Sequence, residues 1–341
     1  MLHGHGSDQY RYAEKIQADF SSNVWYEGFP NQLIEVIQQH VPQLVHYPEA
    51  EAESLQQQLA DLHKVSTSNI IVGNGTAELF YLLAQAYRGA NSKIVVPAFA
   101  EYEDACTVHE HNISFCNYTE IDNTELTDML WLGNPNNPDG NTISPEEILA
   151  LCARNPKTIF VVDEAYAELC FSFRSSINLV LQTHNLIVLH SLTKTFAMPG
   201  LRLGYAVGAS EIIQKLASIR IPWSVNSLAI AAGCYIVKNY QQLLPSKKQI
   251  ATESLAFHEQ LSQISALEIN TSSSNFFLLK IKHGTAAQLK KYLITAHGIL
   301  IRDASNFRQL TPQHFRVSLQ KKEHNELLIE ALTEYCSKLN T

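Results

Sequence analysis

The chain has 341 residues, a formal net charge of −8, 45% apolar residues and 17% charged ones. That length suits a large domain plus a smaller one, and the composition excludes a disordered or fibrous chain. The negative balance argues against nucleic acid or an anionic membrane as the main partner, so arginines that bind anions must be local features.

The amino terminus, Met1-Leu2-His3-Gly4-His5-Gly6, has neither the basic segment nor the apolar run of a signal peptide. No stretch approaches ~20 consecutive apolar residues. A cytoplasmic location is expected. His3 and His5 lack a third ligand at suitable spacing, so no metal is expected, and a flexible arm that folds over a pocket is the better reading. The six cysteines show no CxxC and no zinc spacing and read as reduced, mostly buried thiols.

Through the first two thirds, short apolar runs alternate with amphipathic stretches, at 69–72, 93–97, 113–118, 128–132, 158–163, 186–190 and 203–207. Strands separated by helical patterns predict a doubly wound, mostly parallel sheet of seven strands with helices on both faces. The first of these helices is predicted over 76–87, where Leu79, Leu82, Leu83 and Ala86 recur at helical spacing. After about residue 240 come a Gln- and Lys-rich helix, a strand at 275–281, a helix near 285–296, strands near 299–302 and 315–319, and a closing helix at 323–339. The expected division is an N-terminal arm over 1–30 that packs with the small domain, a large domain over 31–238 and a small α/β domain over 239–341.

The distinctive residues fall at the carboxyl ends of the predicted strands, the edge where such sheets bind ligands. Lys194 follows the apolar run 186–189 and sits between hydroxyl residues, with Arg202 eight residues on in Pro199-Gly200-Leu201-Arg202-Leu203-Gly204. Alone, Lys194 would read as a surface lysine. With Ser191, Thr193 and Arg202 beside it, the group suits a lysine that bonds the aldehyde carbon of a cofactor whose phosphate the hydroxyls and guanidinium hold. Asp163 ends the run 158–162. A carboxylate there either caps the next turn or meets a cation, and the protonated ring nitrogen of pyridoxal phosphate is such a cation.

Gly73-Asn74-Gly75-Thr76 is a glycine turn leading into a helix, whose free N–H groups suit an anion. Asn134-Pro135-Asn136-Asn137-Pro138-Asp139-Gly140 is a rigid loop that could aim Asn137 at the cofactor's ring oxygen. Either stretch by itself could be a plain turn. Arg302 and Arg316 lie within apolar strands and need anionic partners, either structural carboxylates or a substrate carrying two anionic groups.

Taken together, the GNGxxE turn, the NPNNPxG loop, the DEAY strand end and the SLTK…GLRLGY segment resemble the fold-type I pyridoxal-phosphate enzymes, in the branch that holds histidinol-phosphate aminotransferase and threonine-phosphate decarboxylase. The resemblance spans essentially the whole chain and implies pyridoxal 5'-phosphate as cofactor. It implies that Gly75 and Thr76 contact the cofactor phosphate, with Ser191, Thr193 and Arg202 completing that site around Lys194. Tyr102 would stack on the ring, Asn137 and Tyr166 would bond its phenolic oxygen, and Asp163 would pair with its nitrogen. Tyr47 would reach the phosphate of a neighbouring subunit, which implies a homodimer with shared active sites.

Four segments, His3-Gly4…Tyr10, Asp19-Phe20-Ser21-Ser22-Asn23, Pro97-Ala98-Phe99-Ala100-Glu101-Tyr102 and Pro222-Trp223-Ser224-Val225-Asn226, look more like the decarboxylase, as does the stretch 299–307 followed by 315–317. That similarity implies decarboxylation of L-threonine O-3-phosphate to (R)-1-amino-2-propanol phosphate, as in cobalamin biosynthesis. Arg316 would hold the α-carboxylate and Arg302 the phosphate, with His3, Asn23 and Asn275 nearby. An aminotransferase of the histidinol-phosphate or aromatic type is the alternative. The chain departs from the pattern at Trp25-Tyr26-Glu27, which is expected to reshape the substrate lid, and at Asp139, where the branch usually has threonine.

Overall fold

The computed structural model describes residues 6–123 and 127–339. Its largest element is a seven-stranded sheet made of β1 (Ile70–Gly73), β2 (Asn91–Val95), β3 (Asn112–Cys116), β4 (Met129–Gly133), β5 (Ile159–Asp163), β6 (Leu186–Ser191) and β7 (Gly204–Gly208). The order across the sheet is β1-β7-β6-β5-β4-β2-β3. Only β7 runs antiparallel to its neighbours β1 and β6. The remaining pairs are parallel.

Strands β4 and β6 are buried along their whole length, because both faces of the sheet are covered. On one face Leu130, Val162, Val188 and Val207 pack against the helices Glu53–His63 and Ser227–Lys238. On the other, Trp131, Val161, Leu189 and Ala206 meet the helices Gly75–Ala86 and Ser210–Ala217. Single-residue alternation along each strand divides these sets.

A second sheet, β8 (Leu267–Ile269), β9 (Phe276–Ile281), β10 (Arg302–Asp303) and β11 (His314–Ser318), is antiparallel in the order β10-β11-β9-β8. It packs on the helices Lys247–Ser262, Ala286–His297 and Lys322–Leu339 through Phe277, Phe315, Val317, Leu289 and Leu328. The helix Ala286–His297 starts at a reciprocal cap between Thr285 and Gln288 and stops at Gly298 with φ of 59°.

The strand expected over 299–302 is divided. Ile299–Leu300 pairs in parallel with Ala18–Asp19, whereas Arg302–Asp303 turns to pair with β11. Residues 18–20 are thereby stitched to the small sheet, with Phe20 N–H donating to Leu300 (2.8 Å) and its carbonyl accepting from Ser318 N–H (2.9 Å). Among the described residues no helix is long and apolar enough to cross a membrane. All six cysteines are free.

Candidate active site

The carboxyl ends of β4, β5 and β6 and the turn after β1 converge on a cavity of about 110 Å³ lined by Gly75, Thr76, Tyr102, Asn137, Asp163, Tyr166, Ser191, Thr193, Lys194 and Arg202. It adjoins a larger space of about 280 Å³ that shares Ala77, Phe99, Asn137, Tyr166, Lys194 and Arg202 and adds Ser21, Ser22, Arg302, Asn306, Phe307 and Arg316. Lys194 therefore faces both the edge of the large sheet and the arginines of the second sheet.

Lys194 lies in a one-turn helix (Leu192–Thr195) whose N-cap is Ser191. Its carbonyl accepts from Trp25 N–H at 3.0 Å, so the unusual Trp25-Tyr26-Glu27 stretch supports the lysine's backbone. Among the described residues the ammonium reaches only the Ser22 carbonyl, at 3.4 Å. Burial pushes its pKa down to about 8, and the cations of Arg316 and Arg202 add to this against the pull of Asp163.

Asp163 is buried where β5 ends. Its carboxylate accepts from Tyr102 Oη at 2.6 Å and from Ala165 N–H at 3.0 Å. Burial raises its pKa to about 6, despite these donors and nearby His190. Tyr102 is itself buried, edge-on to Phe80. One oxygen thus caps the turn through Ala165 N–H, while the other is bonded to Tyr102 Oη at the cavity wall.

Opposite them, Arg202 reaches across to the turn after β1. Gly75 has φ of 78°, and an added Cβ would collide with Arg202 Nη2. Ser191 Oγ and Thr193 Oγ1 lie 2.8 Å apart. Hydroxyls, a guanidinium and the N-terminus of the 12-residue helix Gly75–Ala86 therefore surround one point, which is an anion cradle.

Asn137 is held by its neighbours. In that loop Asp139 accepts from Asn136 Nδ2 (2.8 Å), Asn141 N–H (3.1 Å) and Asn141 Nδ2 (2.9 Å), so the substituted aspartate is bonded on both oxygens. Asn137 Oδ1 accepts from Arg316 Nη1, which leaves its Nδ2 for another partner. Arg316 also donates to the Ser21 carbonyl at 2.6 Å, while its Nε is buried without a hydrogen bond. Among the described residues no carboxylate pairs with Arg316. Arg302 stands directly across from it on β10 and donates to the Asp303 carbonyl (2.6 Å) and Asn306 Oδ1 (2.8 Å).

A family model for class I and II aminotransferases matches residues 15–332. The chain belongs to that family. It is a pyridoxal-phosphate-dependent enzyme of fold type I. It resembles the crystal structure of L-threonine-O-3-phosphate decarboxylase from Porphyromonas gingivalis, with a TM-score of 0.91 and 36% identity over 94% of this chain and 99% of that one. It is 30% identical to the threonine-phosphate decarboxylase of Salmonella typhimurium over 92% of this chain and 90% of the relative. It also shares the fold of a histidinol-phosphate aminotransferase from Sinorhizobium meliloti solved with pyridoxal 5'-phosphate, with a TM-score of 0.84 and 21% identity over 99% and 96% of the two chains.

The residues present fit this cofactor. The cradle suits its phosphate, Asp163 its ring nitrogen, and a buried amine of lowered pKa its aldehyde. Not every expected residue joins them. Asn23 and Asn275 do not line either cavity. Asn275 Nδ2 donates to the Asn23 carbonyl (3.3 Å), and both amide atoms of Asn23 are buried without a hydrogen bond among the described residues. Tyr47 is 83% exposed and packs on Trp223, with ring centroids 5.2 Å apart. His3 lies outside the described residues.

Sequence reasoning passed over Ser21, Ser22 and Asn306, which line the substrate side. Asn306 lies within the 299–307 segment that pointed to the decarboxylase, so that segment held the signal. It also passed over Arg308, whose bidentate pair with Glu103 (2.6 and 2.5 Å) ties the loop after β10 to the helix Ala100–Val108. That pairing joins residues 205 apart and has no local signature.

Proposed function

We propose that this enzyme decarboxylates L-threonine O-3-phosphate to (R)-1-amino-2-propanol phosphate, acting as a homodimer in which Tyr47 completes the neighbouring subunit's phosphate site. The observation that carries the reading is the cross-strand pair Arg302 and Arg316, two guanidiniums facing one cavity with Lys194. Like charges directly opposite on a sheet are unfavourable without an anion between them, and a substrate with a carboxylate and a phosphate supplies two. The similarity to two threonine-phosphate decarboxylases supports the same substrate.

When bound, pyridoxal phosphate supplies an aldehyde that bonds the substrate amine and a protonated ring that takes up the electron pair left as CO2 departs. Asp163 would hold a negative charge at the ring nitrogen, and Asn137 Nδ2 and the Tyr166 hydroxyl would serve its phenolic oxygen. Gly75, Thr76, Ser191, Thr193 and Arg202 would hold the phosphate, and Tyr102 would lie on the ring side. Arg302 anchors the substrate phosphate and Arg316 the α-carboxylate, which together fix the rotation about Cα and thereby the bond that breaks. Lys194 Nζ, with a pKa of about 8, exchanges its proton near neutral pH and delivers it to Cα once the carboxylate has left.

The alternative is transamination, which needs Cα–H rather than the carboxylate aligned for cleavage. Incubation with phosphothreonine should release one CO2 per amine formed. Histidinol phosphate with 2-oxoglutarate should give no amino transfer. Absence of CO2, with transfer to 2-oxoglutarate, would establish the aminotransferase instead.

A further inference from the structure

Behind the cofactor side of the sheet lies a buried charge cluster that the reaction above does not use. His190, on β6, is 4% exposed. Its Nε2 is 2.8 Å from Glu164 Oε2 and its Nδ1 3.6 Å from Glu168 Oε1. Glu164 also accepts from Ser176 N–H at 2.7 Å, and Glu168 from Tyr240 Oη at 2.6 Å. Tyr205, across from His190 on β7, shares a 2.9 Å hydrogen bond with His63. Its ring packs on His190 at 5.5 Å between centroids.

The charged state of this cluster is set by its neighbours. Burial works to neutralise His190, but the two carboxylates outweigh it and hold its pKa up at about 10. His63 goes the other way, pushed down to about 4 by burial and by the His190 charge. Two glutamates therefore share one buried imidazolium at neutral pH, with Tyr205, Tyr240 and His63 neutral around them.

The covalent connections give the cluster its reach. Glu164 follows Asp163, Tyr166 lies between Glu164 and Glu168, and His190 precedes Ser191 and stands four residues before Lys194. We propose that His190 is a positioning residue, whose imidazolium clamps the end of β5 and the turn after it to β6 and so fixes both the placement and the electrostatic potential of Asp163, Tyr166 and Lys194. The proposal rests on the roles assigned to those three residues above. A clamp of hydrogen-bonded charges suits this place because both carboxylates are too buried to be left unpaired. The same cation opposes Glu164 in the potential felt by Asp163, whose own carboxylate it stabilises.

The test uses the holoenzyme and follows the pH transition of the cofactor absorbance together with the rate of cofactor release. His190→Gln removes a cation and should shift the transition upward by ~0.5–1 pH unit, and Glu168→Gln, which removes an anion and keeps the Glu164 contact, should shift it downward by a similar amount. Cofactor release should quicken in His190→Gln, and kcat should fall ~10-fold with KM little changed. A purely structural role would lower the melting temperature of the apoprotein in both variants and leave the transition unmoved, and that result overturns the proposal, as does a shift of the same sign in both. If His190→Gln does not fold, the direction of the shift in Glu168→Gln decides. Lys194→Ala is read alongside. If it keeps the absorbance band, the assignment of Lys194 fails, whereas a lost band with an unmoved transition in His190→Gln overturns the positioning role alone.

Discussion

Replacing Lys194 by methionine should stabilise the cofactor-free protein while abolishing turnover. Lys194 titrates at about 8 in the folded chain against 10.5 for the free group. Between those values the unfolded chain binds more protons, so stability rises with pH across that window, and the cost of the buried ammonium is fully present below pH 8. At 1.36 kcal/mol per pKa unit the full difference is about 3 kcal/mol. Lys194 is only partly enclosed, so solvent screening reduces the expected gain for Lys194→Met to ~1–3 kcal/mol at pH 7. For a chain of this length that is a rise of ~1–4 °C in melting temperature. Calorimetry of the apoproteins at pH 7 and at pH 10.5 measures it. The gain should shrink at the higher pH, and a variant that is less stable than wild type at pH 7, or whose gain is the same at both, refutes the account of Lys194 as a cation held against burial.

Asp163→Asn should act on stability with the opposite pH dependence. The carboxyl titrates at about 6 in the fold against 3.8 when free, so the native state binds more protons between those values and stability falls as pH rises through them. The amide variant of the apoprotein should therefore gain over wild type at pH 7 and not at pH 4, while cofactor affinity and turnover collapse. Because Lys194 and Asp163 attract one another, the two gains should not add in the double variant. For Arg302→Ala, loss of a charge-assisted contact of ~1.5–3 kcal/mol should raise KM for phosphothreonine by ~10- to 100-fold, and an unchanged KM would place the substrate phosphate elsewhere. Gly75→Ala should cost only ~1 kcal/mol of stability, because the Arg202 guanidinium can swing aside, yet weaken cofactor binding by at least ~10-fold as read by equilibrium dialysis.

The order of amino acids alone revealed the seven apolar runs, the glycine turn before the helix Gly75–Ala86 and the residues at the strand ends. Those are local properties, since periodicity, turn chemistry and the placement of a polar residue after an apolar run are written within a few neighbouring positions. It also marked Arg302 and Arg316 as cations in need of anions. It could not say that they face one another, because strand register is fixed only when β9, β10 and β11 pack on their helices. The division of 299–302 between two pairings had the same cause, namely the arrival of Ala18–Asp19 from 281 positions upstream. Likewise, the resemblance put Asn275 near the substrate, whereas the fold shows its Nδ2 donating to the Asn23 carbonyl, a contact between residues 252 apart, and His190 read as one more residue of a buried strand. Its function as a clamp depends on Glu164 and Glu168, which come within reach only when β5 and β6 lie side by side, and the charge it carries is a consequence of that burial.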